Sequence, residues 1–447
     1  MIVNSKIEEQ ARQTALQPEQ NQEFNWRKCW YPVCFVQDLP KNRSYSFSLY
    51  DEPFVLFRKL DGKLVCLVDR CPHRAAKLSD GQIIDGKIEC LYHGWQFGSD
   101  GQCLHIPQLA TDAKIPANAC VQSFKIVERQ GMVWMWAGVG EAAADDDIPT
   151  IEELDKSEFV TTDVMRDLPY DQFYFIENIM DPAHVHISHD GTLGQRENAK
   201  PSEMEVLENS SRGIRGRLRG MSKPNLPWSQ LDFIAPNFVI YKFSVPQRGV
   251  AGGVAFYSIP LGKGRCRILV RNYNNFNTWK FKLTPRWLDH MLRNRVLEED
   301  LPLIIGQKTQ IERLGQSLKQ VFLPLKTCDT FVVEYYKWLD KFGSSLPYYQ
   351  GYSTSKNVSS DGNCLNPPPL DRFSQHTQLC SSCSSAYQTT NRVKQTSVGV
   401  AIAFAALAIP ADGWMQISAV LASLGAVGIA VGAEKLKTHF ERPYTRH

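Results

Sequence analysis

Short apolar runs separated by turn signals dominate the first third of the chain. Between residues 26 and 140, runs such as FVLFRKL, KLVCLV and GMVWMWAG alternate with Asp-Gly pairs. Regularly spaced short strands joined by Asp-Gly turns are typical of a small antiparallel β domain. Residues 1–25 are polar instead, and we expect them to form an N-terminal arm outside any core.

The pattern changes in the next two hundred residues. Residues 150–350 combine strand-like runs, FVIYKFSV and GGVAFYSIPL, with a helical pattern from Trp287 to Leu314 that Pro302 is expected to interrupt. This mixture predicts an α+β domain. The family resemblance described below implies more specifically a helix-grip-like fold for it. Residues 351–390 contain Ser, Asn, Gly and three consecutive prolines, which is typical of a surface linker.

Two uncharged apolar stretches lie near the C-terminus. Residues 395–411 and 413–433 are separated only by Asp412, and their lengths predict a transmembrane hairpin over residues 395–433. A buried alanine-rich helical pair is the alternative. Positive residues flank both outer ends, so the positive-inside rule places the part of the chain before Arg392 on the cytoplasmic side of a plasma or thylakoid membrane.

Composition narrows the class of protein. The net charge is +3 and 43% of the residues are hydrophobic, which indicates a folded protein and argues against a nucleic-acid binder. The first 25 residues contain no apolar core of signal-peptide length. We therefore expect the twelve cysteines to lie in a reducing compartment, where metal ligation or redox chemistry is favoured over disulfides.

The first chemical motif pairs Cys71 and His73 with Cys90 and His93, in the pattern C-x-H-x16-C-x2-H. Two thiolates and two imidazoles suit either zinc or a Rieske [2Fe-2S] cluster. Zinc-finger ligands usually follow C-x2-4-C and H-x3-5-H spacing, so this pattern favours the Rieske cluster.

The second motif contains His184 and His189, five residues apart. Two imidazoles and one carboxylate form the metal site of non-haem Fe(II) oxygenases. Residues five apart do not share a helix face, so a common metal requires a helix end or a local distortion.

A carboxylate ligand must come from further along the chain. Asp300 shares a helical face with Ile304 and Gln307, whereas Glu299 is expected to point outward. The alternative is that Asp300, just before Pro302, caps a new helix.

These motifs resemble those of the Rieske non-haem iron oxygenases, with Asn178, Asp181, His184 and His189 in the pattern N-x2-D-x2-H-x4-H. Within that family, NWRKCWYPV, ENIMDPAHVHISH and DRFSQHTQLCSSCSSAY resemble the pheophorbide a oxygenase and chlorophyllide a oxygenase group. The resemblance implies a mononuclear iron on His184, His189 and Asp300. It also implies that Asp181 bridges neighbouring subunits of a homotrimer as a catalytic electron relay, although Asp181 beside a histidine would equally serve only to orient the imidazole.

The implied reaction is oxygenation of a hydrophobic substrate, a chlorophyll-derived tetrapyrrole, with O2 and electrons from a separate ferredoxin or ferredoxin reductase. Two alternatives stay open: an oxygenase of another lipid-like substrate, and a membrane redox sensor or translocon-associated protein. The second would act through Cys380 and Cys383, whose C-x2-C spacing indicates either a redox dithiol or two idle thiols. Zinc would need two further ligands, and the spacing of the nearby Cys364 and His376 does not favour it.

Overall fold

The computed structural model describes residues 24–138, 144–221, 225, 227–276, 278–353 and 369–445. Nearly all of the predicted N-terminal arm and the middle of the predicted linker lie outside these ranges. The described strands are β1 (Trp30–Phe35), β2 (Tyr45–Leu49), β3 (Glu52–Arg58), β4 (Leu64–Val68), β5 (Gln82–Ile84), β6 (Lys87–Glu89), β7 (Gln96–Phe97), β8 (Cys103–His105), β9 (Ser123–Phe124), β10 (Ile126–Arg129), β11 (Met132–Trp136), β12 (Val160–Leu168), β13 (Ser202–Ser210), β14 (Gly213–Gly220), β15 (Ser229–Ile234), β16 (Phe238–Val245), β17 (Val250–Gly262) and β18 (Arg265–Asn274). The described α-helices are α1 (Gln172–Met180), α2 (Val185–Ser188), α3 (Thr278–Leu283), α4 (Arg286–Leu314), α5 (Leu318–Val321), α6 (Thr330–Phe342), α7 (Ser381–Ala408) and α8 (Gly413–Glu441).

Strands β1 to β11 form the small antiparallel β domain that the sequence predicts. They pair in three sheets with the orders β1-β11-β10, β2-β3-β4-β9 and β5-β6-β7-β8. Apolar side chains fill the space between the sheets, and Tyr31, Phe57 and Trp134 are almost completely buried there. The loops next to β5, β6 and β7 carry the first Cys/His motif.

A seven-stranded antiparallel sheet organises the second domain, with the order β12-β18-β17-β16-β15-β14-β13. Successive side chains of a strand point to opposite faces of the sheet. On β16, Phe238 and Ile240 therefore join the core of the β domain, whereas Val239 joins the core beneath the helices. Both faces of the sheet therefore contribute to a core, and the α+β prediction is confirmed.

Helix α4 crosses the second domain without a break. The sequence predicts an interruption at Pro302, and that prediction is wrong. A proline inside a helix removes one backbone hydrogen bond and crowds the carbonyl four residues earlier. Packing compensates here, since Leu301 and Ile304 are buried on either side of the proline. The helix ends only at Gly315, whose φ of 61° is left-handed.

A buried carboxylate on α4 joins three distant parts of the chain. Glu298 Oε1 accepts a hydrogen bond from Arg166 Nη1 on β12 at 2.7 Å, and Oε2 accepts one from Arg372 Nη2 at 2.5 Å. Burial raises the pKa of this carboxyl group, but the hydrogen bond from Arg372 and the charges of both arginines bring the pKa of Glu298 below its ordinary value. The three charges fix the C-terminal part of the chain to the second domain.

The sequence predicts a surface linker over residues 351–390. In the described C-terminal part of that segment, several residues between 371 and 380 are instead buried. Gln375, His376 and Thr377 lie in the π-helical turn Phe373–Thr377 and are buried. Their polar character predicts exposure, but each polar group has a partner inside the protein. Gln375 Oε1, for example, accepts a hydrogen bond from Arg166 Nε at 3.1 Å.

The C-terminal helices α7 and α8 pack side by side as an antiparallel pair. Small side chains recur every seven residues along their contact, and the buried ones are Ala401, Ala408, Ala419, Ala426 and Ala433. Large apolar side chains point away from the pair, as Trp414 does with 84% exposure. Among the described helices, α8 has the length and apolar composition needed to cross a membrane.

The Glu298→Gln variant should be strongly destabilised, because it leaves two buried guanidinium groups without a compensating charge. Removing one partner of a buried ion pair costs about 3–5 kcal/mol. The matched control is Glu312→Gln, since Glu312 lies on the same helix with its side chain half exposed and should cost less than about 0.5 kcal/mol. Thermal and denaturant unfolding of the two variants tests this; equal midpoints would show that the triad contributes little.

Candidate metal centres

Two loops of similar construction present the first Cys/His motif. In one loop, Cys71 N–H donates to the carbonyl of Ala76 at 2.8 Å; in the other, Cys90 N–H donates to the carbonyl of Trp95 at 2.9 Å. Each cysteine carbonyl also accepts a hydrogen bond from four residues further along, from Ala75 or Gly94. Both of these donor residues have positive φ, 58° and 73°, so each loop turns back tightly on its cysteine.

The four side chains of these loops converge. The imidazole centroids of His73 and His93 are 4.4 Å apart, and both cysteines are buried. Burial raises the pKa of the Cys71 thiol to about 11. His73 Nδ1 is buried and has no hydrogen-bond partner among the described residues, although its ring stacks on Trp95. A buried nitrogen without a partner needs an explanation, and a metal ligand provides one. The donor set, two sulfurs and two nitrogens, fits the Rieske cluster.

The second motif forms a compact triad. One ligand atom from each of His184, His189 and Asp300 lies within 4.8 Å of the others. Asp300 Oδ2 is 3.2 Å from His189 Nε2 and 3.8 Å from His184 Nε2. The single turn of α2 lies between the two histidines, which is how residues five apart reach one metal. Two imidazoles and a carboxylate with the remaining side open fit a mononuclear iron site.

Each histidine of the triad is oriented by a second hydrogen bond. His184 Nδ1 donates to the carbonyl of Asp181 at 2.5 Å, and His189 Nδ1 donates to Glu299 Oε2 at 2.9 Å. These contacts leave both Nε2 lone pairs directed at Asp300, as metal-binding histidines require. Burial lowers the pKa of His189, but Asp300 and Glu299 together raise that pKa above its ordinary value.

Glu299 corrects a sequence-based expectation. It was expected to point outward, but its side chain is buried and also accepts a hydrogen bond from Thr192 Oγ1 at 2.7 Å. Helical periodicity assigns one buried face to α4, whereas the loop that carries His189 covers a second face. Hydrophobic patterning gives no signal for this, because the partner lies 110 residues earlier in the chain.

Asp181 lies beside the triad. Its Oδ1 accepts a hydrogen bond from the Ala183 N–H at 2.8 Å, and its Oδ2 is 3.6 Å from His184 Nδ1. The side chain remains 28% exposed, so the carboxylate contacts the triad on one side and the protein surface on the other.

A cavity of about 460 Å³ opens next to the triad, lined by Asp181, His184, Asp300, Leu303, Ile304, Gln307, Val321, Phe322, Leu323 and several neighbouring residues. Glu177 lies in its wall and accepts hydrogen bonds from Gln307 Nε2 at 2.8 Å and from the Tyr336 hydroxyl. Burial raises the pKa of Glu177 to about 7. A larger cavity of about 1330 Å³, between the β domain and the start of α4, contains none of the residues of either motif.

Two metal donor sets on this pair of domains define a Rieske-type non-haem iron oxygenase. Residues 29–125 match the Rieske [2Fe-2S] domain family, and residues 233–317 match the pheophorbide a oxygenase family. Dicamba monooxygenase has the same fold, with a TM-score of 0.59 at 22% identity over 71% of this chain and 97% of that one.

Relatives that match most of the chain identify the family. TIC 55 of Pisum sativum is 35% identical over 443 residues, which cover 91% of this chain and 79% of that protein. Pheophorbide a oxygenase of Arabidopsis thaliana is 32% identical over 448 residues, covering 92% and 82%. The chain belongs to the Rieske non-haem iron oxygenases, in the group of pheophorbide a oxygenase and TIC 55. It is accordingly a Rieske monooxygenase with a [2Fe-2S] cluster and a mononuclear iron as cofactors.

Substitutions at the two neighbouring acids should separate ligation from orientation. If Asp300 is the carboxylate ligand, Asp300→Ala should abolish mononuclear iron, while the EPR signal of the reduced Rieske cluster persists. Glu299→Gln only weakens the orientation of His189 and should lower iron affinity by about 10–100-fold. Elemental analysis with EPR measures both effects, and full iron content in Asp300→Ala would assign the third ligand elsewhere.

Proposed function

We propose that this protein inserts one oxygen atom from O2 into a chlorophyll-derived tetrapyrrole of the pheophorbide a or chlorophyllide a type. The observation that carries the proposal is the open cavity beside the triad of His184, His189 and Asp300. The names of the relatives, pheophorbide a oxygenase and chlorophyllide a oxygenase among them, support the substrate class.

In this proposal, Cys71, His73, Cys90 and His93 hold the Rieske cluster and the triad holds the iron. The cluster supplies single electrons, and the iron supplies the site at which O2 is activated. Asp181 and Glu299 keep the two triad imidazoles in the tautomer that leaves Nε2 free. The buried Glu177 and the partly buried Gln307 hold each other in position at the cavity wall.

The electron route runs through Asp181. Its carboxylate lies against His184 yet stays partly exposed, which suits contact with a Rieske histidine of a neighbouring subunit. We therefore infer a head-to-tail homotrimer, in which Asp181 bridges the two metal centres across the interface. A separate ferredoxin or ferredoxin reductase donates the electrons.

The helical pair α7–α8 anchors the enzyme in a membrane, as the hairpin predicted for residues 395–433. The side chains that point away from the pair are large and apolar, whereas alanines form the contact between the two helices. Large apolar side chains suit contact with lipid, and small residues let two helices pack closely. At the cavity mouth Leu303 and Leu323 are exposed, Leu323 to 91%. An apolar entrance on an anchored enzyme suits a substrate taken from a plasma or thylakoid membrane, and the relatives named above are chloroplastic.

A second candidate function is a translocon-associated role. It is favoured by a relative named protochlorophyllide-dependent translocon component 52, from Arabidopsis thaliana, which is 28% identical over 438 residues. In that case the Cys380/Cys383 pair would act as a redox dithiol and turnover of a tetrapyrrole would be absent.

Turnover assays test the proposed reaction directly. The full-length protein with reduced ferredoxin and isotopically labelled O2 should transfer one labelled oxygen atom to pheophorbide a or chlorophyllide a. Asp300→Ala should give no product while retaining its Rieske EPR signal. Labelled product from a sterol or a flavonoid, with none from the tetrapyrroles, would show that the substrate is not a tetrapyrrole. No product from any of these compounds would favour the translocon-associated role.

The membrane topology has its own test. Arg392 and Lys394 precede the hairpin and Lys435 and Lys437 follow it, so the turn at Asp412 should lie on the opposite side of the membrane from the catalytic part. An Asp412→Cys variant should react with a membrane-impermeant maleimide only from that side. Labelling from the catalytic side, or release of the intact protein by carbonate washing, would contradict the hairpin.

A further inference from the structure

A second cluster of metal-ligating side chains lies far from both oxygenase centres in the sequence. His290 comes from the first turns of α4, His376 from the turn Phe373–Thr377, and Cys380 and Cys383 from the start of α7. All four residues are buried, with at most 2% exposure. One ligand atom from each lies within 4.8 Å of the other three.

The distances within this cluster are those of ligands around one small cation. His290 Nδ1 is 3.1 Å from His376 Nε2, and His376 Nε2 is 3.3 Å from Cys383 Sγ. His290 Nδ1 is 3.5 Å from the sulfur of each cysteine. Around a tetrahedral zinc, with Zn–S near 2.3 Å and Zn–N near 2.05 Å, two nitrogens lie about 3.3 Å apart and a sulfur and a nitrogen about 3.6 Å apart.

Hydrogen bonds on the far side of each ring fix which nitrogen carries the proton. His290 Nε2 donates to the carbonyl of Asp163 at 2.7 Å, and His376 Nδ1 donates to the carbonyl of Met165 at 2.6 Å. A neutral imidazole has one N–H, so the nitrogens that face the cluster, His290 Nδ1 and His376 Nε2, are bare acceptors. Carbonyl contacts of this kind are the usual support of metal-binding histidines.

Two bare nitrogens 3.1 Å apart repel each other unless a positive charge lies between them. Protonating one ring would require a cysteine thiolate as its counterion, because the four members include no carboxylate, and would place two charges in a buried site at a high desolvation cost. A thiol proton donated to each ring would still leave the two nitrogens facing each other at 3.1 Å. A cation bound by all four groups removes the repulsion and satisfies every donor atom.

We propose that His290, His376, Cys380 and Cys383 bind one zinc ion. Four protein ligands of the S2N2 type in a tetrahedral arrangement are typical of structural zinc, and the closed set leaves no position for water or substrate. Both supporting carbonyls belong to β12, so the site joins the central sheet, the long helix and the base of the α7–α8 pair. The burial of both thiols argues against an exposed redox switch, because redox-sensing cysteines are solvent-accessible.

Metal content tests the proposal independently of oxygenase activity. The full-length protein, purified without chelators from cells supplied with iron and zinc, should contain about one zinc per chain in addition to about three irons. The double variant Cys380→Ser/Cys383→Ser should contain at least about tenfold less zinc than the unaltered protein, while keeping its Rieske EPR signal. The matched control, Cys328→Ser, changes a thiol outside both clusters and should retain all of the zinc.

A second measurement needs no variant and therefore does not depend on the variants folding. X-ray absorption at the zinc edge of the unaltered protein should show two sulfur neighbours at about 2.3 Å and two nitrogen neighbours at about 2.0–2.1 Å. Protein that contains iron but no zinc, with Cys380 and Cys383 recovered as free thiols or as a disulfide, would overturn the proposal. Zinc surrounded by nitrogen and oxygen alone would overturn it as well.

Discussion

Every charge that helix α4 places inside the protein must meet an opposite partner, and this constraint determines how the rest of the chain is arranged around it. Glu298, Glu299 and Asp300 are consecutive and all buried. Because successive helical residues point in directions about 100° apart, the three carboxylates face three different neighbours: two arginines, the His189 ring and the centre of the triad of His184, His189 and Asp300. Sliding or rotating α4 would leave at least one buried carboxylate unpaired, at a cost of several kcal/mol.

The same need to satisfy buried polar groups prepares the histidines for metal. In the triad of His184, His189 and Asp300, His184 is oriented by a backbone carbonyl and His189 by a carboxylate. In the cluster of His290, His376, Cys380 and Cys383, both supporting groups are backbone carbonyls of β12. The lone pairs of the histidines in each site therefore point toward a common position. The stability of the fold and the positions of the ligands depend on the same hydrogen bonds.

Local motifs could be predicted from the sequence, whereas long-range partners could not. The Rieske motif spans little more than twenty residues, and helical periodicity is sufficient to bring Asp300 toward the core. Glu299 and His290 were missed because their partners lie 110 and 86 residues away along the chain. Pro302 and segment 371–380 were misjudged for a related reason. Local rules predict that a proline interrupts a helix and that a polar segment is exposed. In this protein, packing keeps α4 continuous at Pro302, and buried hydrogen-bond partners allow segment 371–380 to be buried.

The C-terminal helical pair is attached to both domains, and this has a consequence for substrate access. Ser381 N–H donates to Asp38 Oδ1 of the β domain at 2.9 Å, and Arg372 pairs with Glu298 of the second domain at 2.5 Å. Asp38 also accepts a hydrogen bond from Arg286 at the start of α4. A hairpin held at its base by buried charges on two sides does not swing freely as a flexible tether would. If the hairpin lies in a bilayer, the orientation of the catalytic domain relative to that bilayer is therefore fixed, and so is the direction in which the cavity opens.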